Sequence, residues 1–183
     1  TIEEVKNYLT KYSDEYIVIK CGGSVLVDQK LFNNFIGDIS ILNKLGFIPI
    51  IIHGGGKRIS NKLNEVGIKS NFINGLRVTD KNSINIVEDV LINFNKEIIE
   101  SLKKNLCESQ SITSKENNIL IVEQENKELG FVGTPIEINL SIIDQIVRDK
   151  KVPVIAPLGL DENHQVYNIN ADTVAGSIAK KLN

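Results

Sequence analysis

Two glycine clusters, each following an apolar run, are the first residues in this sequence whose types and spacing could do chemistry. Tyr16-Ile-Val-Ile-Lys20 leads into Cys21-Gly22-Gly23-Ser24, and Phe47-Ile-Pro-Ile-Ile-Ile52 leads into His53-Gly54-Gly55-Gly56. Glycine lacks a Cβ, so backbone N–H groups can close around an anion there, and a following helix N-terminus adds favourable partial charge. Either cluster alone could simply turn a strand into a helix. Two of them after successive strands, one led by Lys20, point to a phosphate or carboxylate site. A dinucleotide site would need G-x-G-x-x-G on the first turn and an acidic residue near the end of the second strand, and a P-loop would need its Gly-Lys-Ser/Thr ending. Neither pattern is present.

The elements that must hold these clusters can be read from periodicity. Ile2, Val5, Leu9 and Tyr12 recur at helical spacing behind a Thr1/Glu4 capping box, which predicts a short amphipathic helix over 1–13. Tyr16–Lys20 reads as a buried strand with Lys20 at its carboxyl end. Leu31, Phe35, Ile39, Leu42 and Leu45 mark a helix stopped by Gly46, and Phe47–His53 a second buried strand. A further helix runs through Ile59, Leu63 and Val66 to Gly67. This alternation predicts an α/β fold with a mainly parallel, doubly wound sheet sandwiched by helices. A long helix through Ile84–Leu102 should begin at Thr79 or Asp80. Short strands at 119–124, 129–132 and 136–139 suggest a β-hairpin region near 119–139. A helix over 141–150, a strand over 152–157, a turn near 161–164 and a helix over 171–182 complete the chain. Open parallel sheets bind ligands at the carboxyl ends of their strands, where both glycine clusters would lie.

Composition narrows the function class. The 183 residues are 42% hydrophobic and 24% charged, as in ordinary globular chains, and one domain over 1–183 is expected. The net charge of −2 and scattered basic residues argue against a nucleic-acid partner. The longest apolar stretch falls far short of the roughly 20 residues of a membrane span, and no signal segment is recognisable. Cys21 and Cys107 lack the number and spacing of a disulfide framework or zinc site, and read as two reduced thiols. Methionine is absent and the chain opens on Thr1, so it is expected to be a trimmed or partial product.

The order of motifs then carries a specific resemblance. Ile19-Lys-Cys-Gly-Gly-Ser24, His53-Gly-Gly-Gly56, Asn74-Gly-Leu-Arg-Val-Thr79, Leu129-Gly-Phe-Val-Gly133 and Tyr167-Asn-Ile-Asn-Ala-Asp172 resemble, in sequence and rough spacing, the acetylglutamate kinases of the amino acid kinase family. The resemblance implies that Lys20 reaches the phosphoryl group in flight and that Gly22 and Gly23 contact the phosphates of ATP. It implies that Gly55, Gly56, Arg77 and Asn168 bind N-acetyl-L-glutamate, and that Asp172 orients the catalytic lysines. Arg77 suits a carboxylate because guanidinium offers a planar, bidentate fork. Asn168 could serve backbone or ligand, and Asp172 could be no more than a helix cap. His53 reads as a strand-end hydrogen-bonding residue, since a carboxylate acceptor needs no deprotonation at neutral pH.

On this resemblance the expected activity is phosphorylation of a side-chain carboxylate in arginine biosynthesis, with Mg²⁺ carried by the nucleotide. Residues 15–183 would be the acetylglutamate-binding domain, ending where a nucleotide-binding half starts, and the shorter chain alone would be inactive. A homo-oligomer is implied, a dimer or a hexamer joined through the N-terminal helix, in the cytoplasm or a plastid stroma. Another carboxylate kinase of the family, or a binding or assembly module without turnover, are the rival readings. Two departures stand out: the polar segment Ser109–Asn118 replaces a glycine-rich one, and Lys57 follows the glycine triplet where proline is common.

Overall fold

The structure, a computed structural model, describes residues 2–182. The capping residue Thr1 lies outside the described residues. Helix α1 (Ile2–Tyr12) precedes β1 (Tyr16–Cys21), and α2 (Gln29–Lys44) leads to β2 (Ile48–His53) and α3 (Gly56–Glu65). A short hairpin, β3 (Phe72–Ile73) and β4 (Leu76–Arg77), is followed by α4 (Ile84–Lys104) and β5 (Ser109–Ile112). Then come β6 (Leu120–Gln124), β7 (Gly133–Ile138), α5 (Leu140–Arg148), β8 (Val152–Ile155), β9 (Leu158–Leu160), β10 (Val166–Asn168) and α6 (Ala171–Leu182).

The main sheet has the order β1-β2-β8-β5 with every pairing parallel. Its central strands are continuous apolar runs because both faces are covered. Alternation along β2 sends Ile50 and Ile52 into one core, against Ile143 and Ile146 of α5 and Val174 and Ile178 of α6. Ile51 goes to the opposite core, with Phe32, Ile36 and Ile39 of α2 and Phe94 and Ile98 of α4. The sheet is therefore sandwiched between helix layers, as the alternating pattern predicts. A second, mixed sheet of order β10-β9-β6-β7 shares the α5/α6 core. No helix among the described residues is long and apolar enough to cross a membrane.

Several predicted elements differ. The predicted strand at 129–132 does not form: a 3₁₀ turn at Lys127–Leu129 is capped by the Asn126 side chain, and Gly130 has a φ of 70°. That conformation breaks an extended run. Only isolated bridges, Thr79 to Gly130 and Val132 to Asn168, remain there. Strand β7 starts earlier than predicted, at Gly133, and admits Pro135 beside a register shift opposite Ile121/Val122. Among the described residues β1 pairs only with β2, and there Ile17–Ile19 are half-buried and Lys20 is exposed. Helix α4 begins at Ile84; the Asp80 carboxylate accepts from Asn82 N and Ser83 N in the turn before it, and Thr79 is a fully buried connector. The departing segment after α4 contributes β5, whose polar residues pair with β8 from Ser109 opposite Val152 to Ile112 opposite Ile155.

Candidate functional site

The parallel register of β1 and β2 sets the site. Cys21 lies opposite His53, so the two glycine turns leave the sheet side by side, joined by Gly54 N donating to Cys21 O at 2.7 Å. Gly23 has a φ of 61°, a conformation open to glycine and costly for other residues. A Cβ on Gly22 would lie 2.9 Å from the Lys20 ammonium, so the missing side chain leaves that charge its place. Gly55 has α4 packed directly behind it, since a Cβ there would meet Leu91 Cδ2 at 2.6 Å. Nothing approaches a Cβ position on Gly56, the first residue of α3.

All eight residues singled out from the sequence line one cleft of about 260 Å³. Lys20 reaches across it to Asp172, with Nζ 3.0 Å from Oδ1. Asp172 is not the cap of α6. That position is filled by Asn170, whose Oδ1 accepts from Asp172 N at 2.8 Å and Thr173 N at 3.2 Å. The Asp172 carboxylate is thereby left to the lysine. No group of three or more His, Cys, Asp or Glu among the described residues could hold a metal ion.

Arg77, only 7% exposed, forms the opposite wall. Its Nη1 donates to Ser70 Oγ at 2.6 Å, and its Nη2 to Gly56 O at 2.8 Å and Ser60 Oγ at 2.9 Å. The guanidinium also lies over the Phe72 ring, 4.7 Å from its centroid. Burial lowers its pKa from the ordinary value. These anchors are all neutral, and among the described residues no carboxylate pairs with this charge. A buried cation normally has an anionic partner, so an uncompensated one facing a cleft is poised for an anionic ligand.

Asn168 is placed by the segment 129–133. Its backbone N–H donates to Phe131 O at 2.9 Å, and its Nδ2 to Thr79 Oγ1 at 3.3 Å. Thr79 in turn donates to Arg77 O at 3.0 Å. The same segment is docked by Thr79 N on Leu129 O and Phe131 N on Thr79 O, a contact only glycine at 130 permits. His53 is fully buried and its pKa is pushed down to about 4, chiefly by burial, so it is neutral at pH 7.

Phe72, Gly75, Leu76 and Asn170 also line the cleft, and Ser60 and Ser70 anchor Arg77; Gly75, Leu76 and Asn170 fall inside the quoted motifs without having been given a role, and the other three were not identified from the sequence. One signal was available. Asn74-Gly75 has positive φ at both residues, 50° and 81°, and is the two-residue turn that favours a hairpin with Phe72 opposite Arg77. The serines carry no sequence signal, because their role exists only once α3 and β4 meet.

Comparison with known proteins bears on this geometry. The chain is 68% identical over its whole length to an acetylglutamate kinase of Pelagibacter ubique, and 42% identical over 96% of its length to that of Campylobacter fetus. It spans 63% of the length of each of these curated relatives. A solved Streptococcus mutans protein superposes with a TM-score of 0.84 at 30% identity, covering 91% of this chain and 68% of that one. An N-acetylglutamate synthase from Neisseria gonorrhoeae shares the fold with a TM-score of 0.83 at 19% identity, over 97% of this chain and 42% of the synthase. Residues 15–183, from the residue before the first strand onward, match the amino acid kinase family, and the chain belongs to that family.

Proposed function

We propose that this chain is the acetylglutamate-binding part of an acetylglutamate kinase, which uses ATP to phosphorylate the side-chain carboxylate of N-acetyl-L-glutamate in arginine biosynthesis. The observation that carries the reading is Arg77, a buried cation without a carboxylate partner among the described residues, in one cleft with Lys20 and both glycine turns. The relatives it resembles are acetylglutamate kinases, which points to N-acetyl-L-glutamate as the substrate. In this reading residues 15–183 form the substrate domain, with α1 as an added helix.

Arg77 would take the α-carboxylate through N–H groups not committed to Ser60, Ser70 and Gly56 O, with Gly55, Gly56 and Asn168 holding the rest of the amino acid. Gly22 and Gly23 would accept the nucleotide phosphates: the turn they form is free of side chains, and at Gly23 a Cβ would meet nothing. ATP supplies the phosphoryl group, and the Mg²⁺ it carries would neutralise phosphate oxygens. Lys20, steered by Asp172, would neutralise oxygens whose charge is redistributed in a loose transition state. The acceptor carboxylate is ionised at neutral pH, so no general base is required. Neutral His53 fits that chemistry.

Calorimetric titration with N-acetylglutamate, glutamate and aspartate tests the assignment. A clear preference for the acetylated ligand supports it. Preference for a free amino acid would move the chain to another carboxylate kinase, and binding of none would favour an assembly module. The enzyme is further proposed to be cytoplasmic and homo-oligomeric. Light scattering with and without residues 1–12 tests whether α1 joins subunits, and an unchanged mass would exclude it.

A further inference from the structure

Behind the second glycine turn lies a buried polar chain that the phosphoryl-transfer reading does not use. Asn95 of α4 and His53 at the end of β2 are both fully buried. Asn95 Nδ2 donates to Val154 O at 2.9 Å and sits 3.2 Å from His53 Nε2. His53 Nδ1 lies 3.0 Å from Gly54 O. The carbonyl of Val154 can only accept, so the amide nitrogen of Asn95 must face it; the flipped amide would set oxygen against oxygen. With that orientation dictated, the second Nδ2 hydrogen points at Nε2, which must carry a lone pair. The ring proton then resides on Nδ1 and donates to Gly54 O. Asn95 Oδ1 is left buried without a partner, a cost of this arrangement. Phe94 closes the ring edge-on, 5.1 Å away.

The consequence reaches the cleft through one peptide plane. Gly54 is pinned at both ends, its N–H on Cys21 O and its C=O on the imidazole. In a planar trans peptide the following N–H points opposite to that C=O, so Gly55 N–H is aimed away from the buried ring. Gly54 and Gly55 both line the cleft.

We propose that Asn95 locks His53 in its neutral Nδ1–H tautomer, and that His53 thereby acts as a positioning residue that fixes the Gly54–Gly55 peptide for anion binding. The anion role rests on the kinase reading above; the tautomer does not. The test is ¹⁵N NMR of the histidine-labelled chain at pH 6 to 8, the exposed His164 serving as internal contrast. One resonance pair with the proton on Nδ1 across that range is expected. A proton on Nε2, a mixture, or an imidazolium would overturn the proposal. Asn95→Asp keeps the shape but presents only acceptors to Nε2. It is expected to draw a proton onto Nε2: a neutral ring then gives up its Nδ1 proton, releases Gly54 O and binds N-acetylglutamate about 10-fold or more weakly, whereas an imidazolium keeps that bond, so the ¹⁵N state of the ring is read alongside binding. Ile98→Val, which loosens the same core without touching the polar chain, should lower stability and leave the dissociation constant within about 2-fold. If Asn95→Asp does not fold, His53→Phe, which keeps a ring but has no donor for Gly54 O, takes its place, and unchanged N-acetylglutamate binding there overturns the positioning role. Equal loss of binding in Ile98→Val would reduce His53 to a packing residue. A wild-type chain that shows the Nδ1–H tautomer but binds no acidic amino acid would refute the kinase reading and keep the tautomer.

Discussion

Replacing Asp172 by Asn should separate stability from catalysis, because the Lys20–Asp172 pair is short yet exposed. The separation is 3.0 Å, but the side chains are 34% and 72% accessible. Solvent-screened pairs of this kind contribute about 0–1 kcal/mol, and a carboxylate in the first turn of α6 adds about 0.3–1 kcal/mol through the helix dipole. Asn170 holds the helix cap in either case, so that contribution survives. The expected loss is therefore under about 2 kcal/mol, a fall of a few degrees in Tm for a chain of this size. Turnover should respond differently. If Lys20 must be preorganised to meet charge developing in the transition state, losing its anchor costs about 10²–10³ in kcat. Lys20→Met should cost at least as much, and the double variant little more than Lys20→Met alone, since both act through one ammonium. Thermal unfolding of the chain, and steady-state kinetics on protein of the relatives' full length, read the two effects. A Tm loss above about 10 °C would make the pair structural. Unchanged turnover, or losses that multiply in the double variant, would refute the steering role.

Arg77→Ala should weaken N-acetylglutamate by about 10²-fold, from loss of charge-assisted hydrogen bonds, while nucleotide affinity changes little; calorimetry with each ligand checks this, and parallel losses would remove Arg77 from the substrate site. His53 makes stability pH-dependent with a definite sign. Its folded pKa of about 4 lies below the usual 6.5, so the unfolded chain binds the extra proton and stability falls as pH drops from 6.5 through 4. The loss is of order 3 kcal/mol at most, and urea midpoints for wild type minus His53→Gln should show it below pH 6.5 and no slope above. Gly130→Ala places a Cβ 2.4 Å from Thr79 O at a φ of 70°, where backbone must move. It should cost about 2 kcal/mol or more by denaturant unfolding and also weaken N-acetylglutamate binding, because Thr79 carries both Arg77 and Asn168; a neutral variant would contradict the docking role of this turn.

The two glycine turns, Lys20 and the parallel sheet were legible in the sequence for a physical reason, whereas Arg77, Asn168 and Asp172 were named through the resemblance. Strands β2 and β8 are covered on both faces and must be continuously apolar, and the glycine turns are demanded by the backbone where those strands end. Helices α2, α3 and α6 announce themselves by periodicity and by the residues that stop or start them. Strand β5 does not: Ser-Gln-Ser-Ile has no pattern of its own and becomes a strand because β8 offers unpaired backbone groups beside it. The place of Lys20 beside the second glycine turn likewise follows from β1 pairing with β2 in parallel register, which strand order decides and composition does not. Asp172 could be read along the chain as a cap or as a partner for lysine. Only the folded molecule resolves this, because Asn170 takes the cap and leaves the carboxylate to a residue far away in sequence. The neutral anchoring of Arg77 by Ser60 and Ser70, and the chain from Val154 through Asn95 and His53 to Gly54, belong to the same class. Each depends on hydrogen-bond distances between separate elements, and such distances come into being only when the helices close on the sheet.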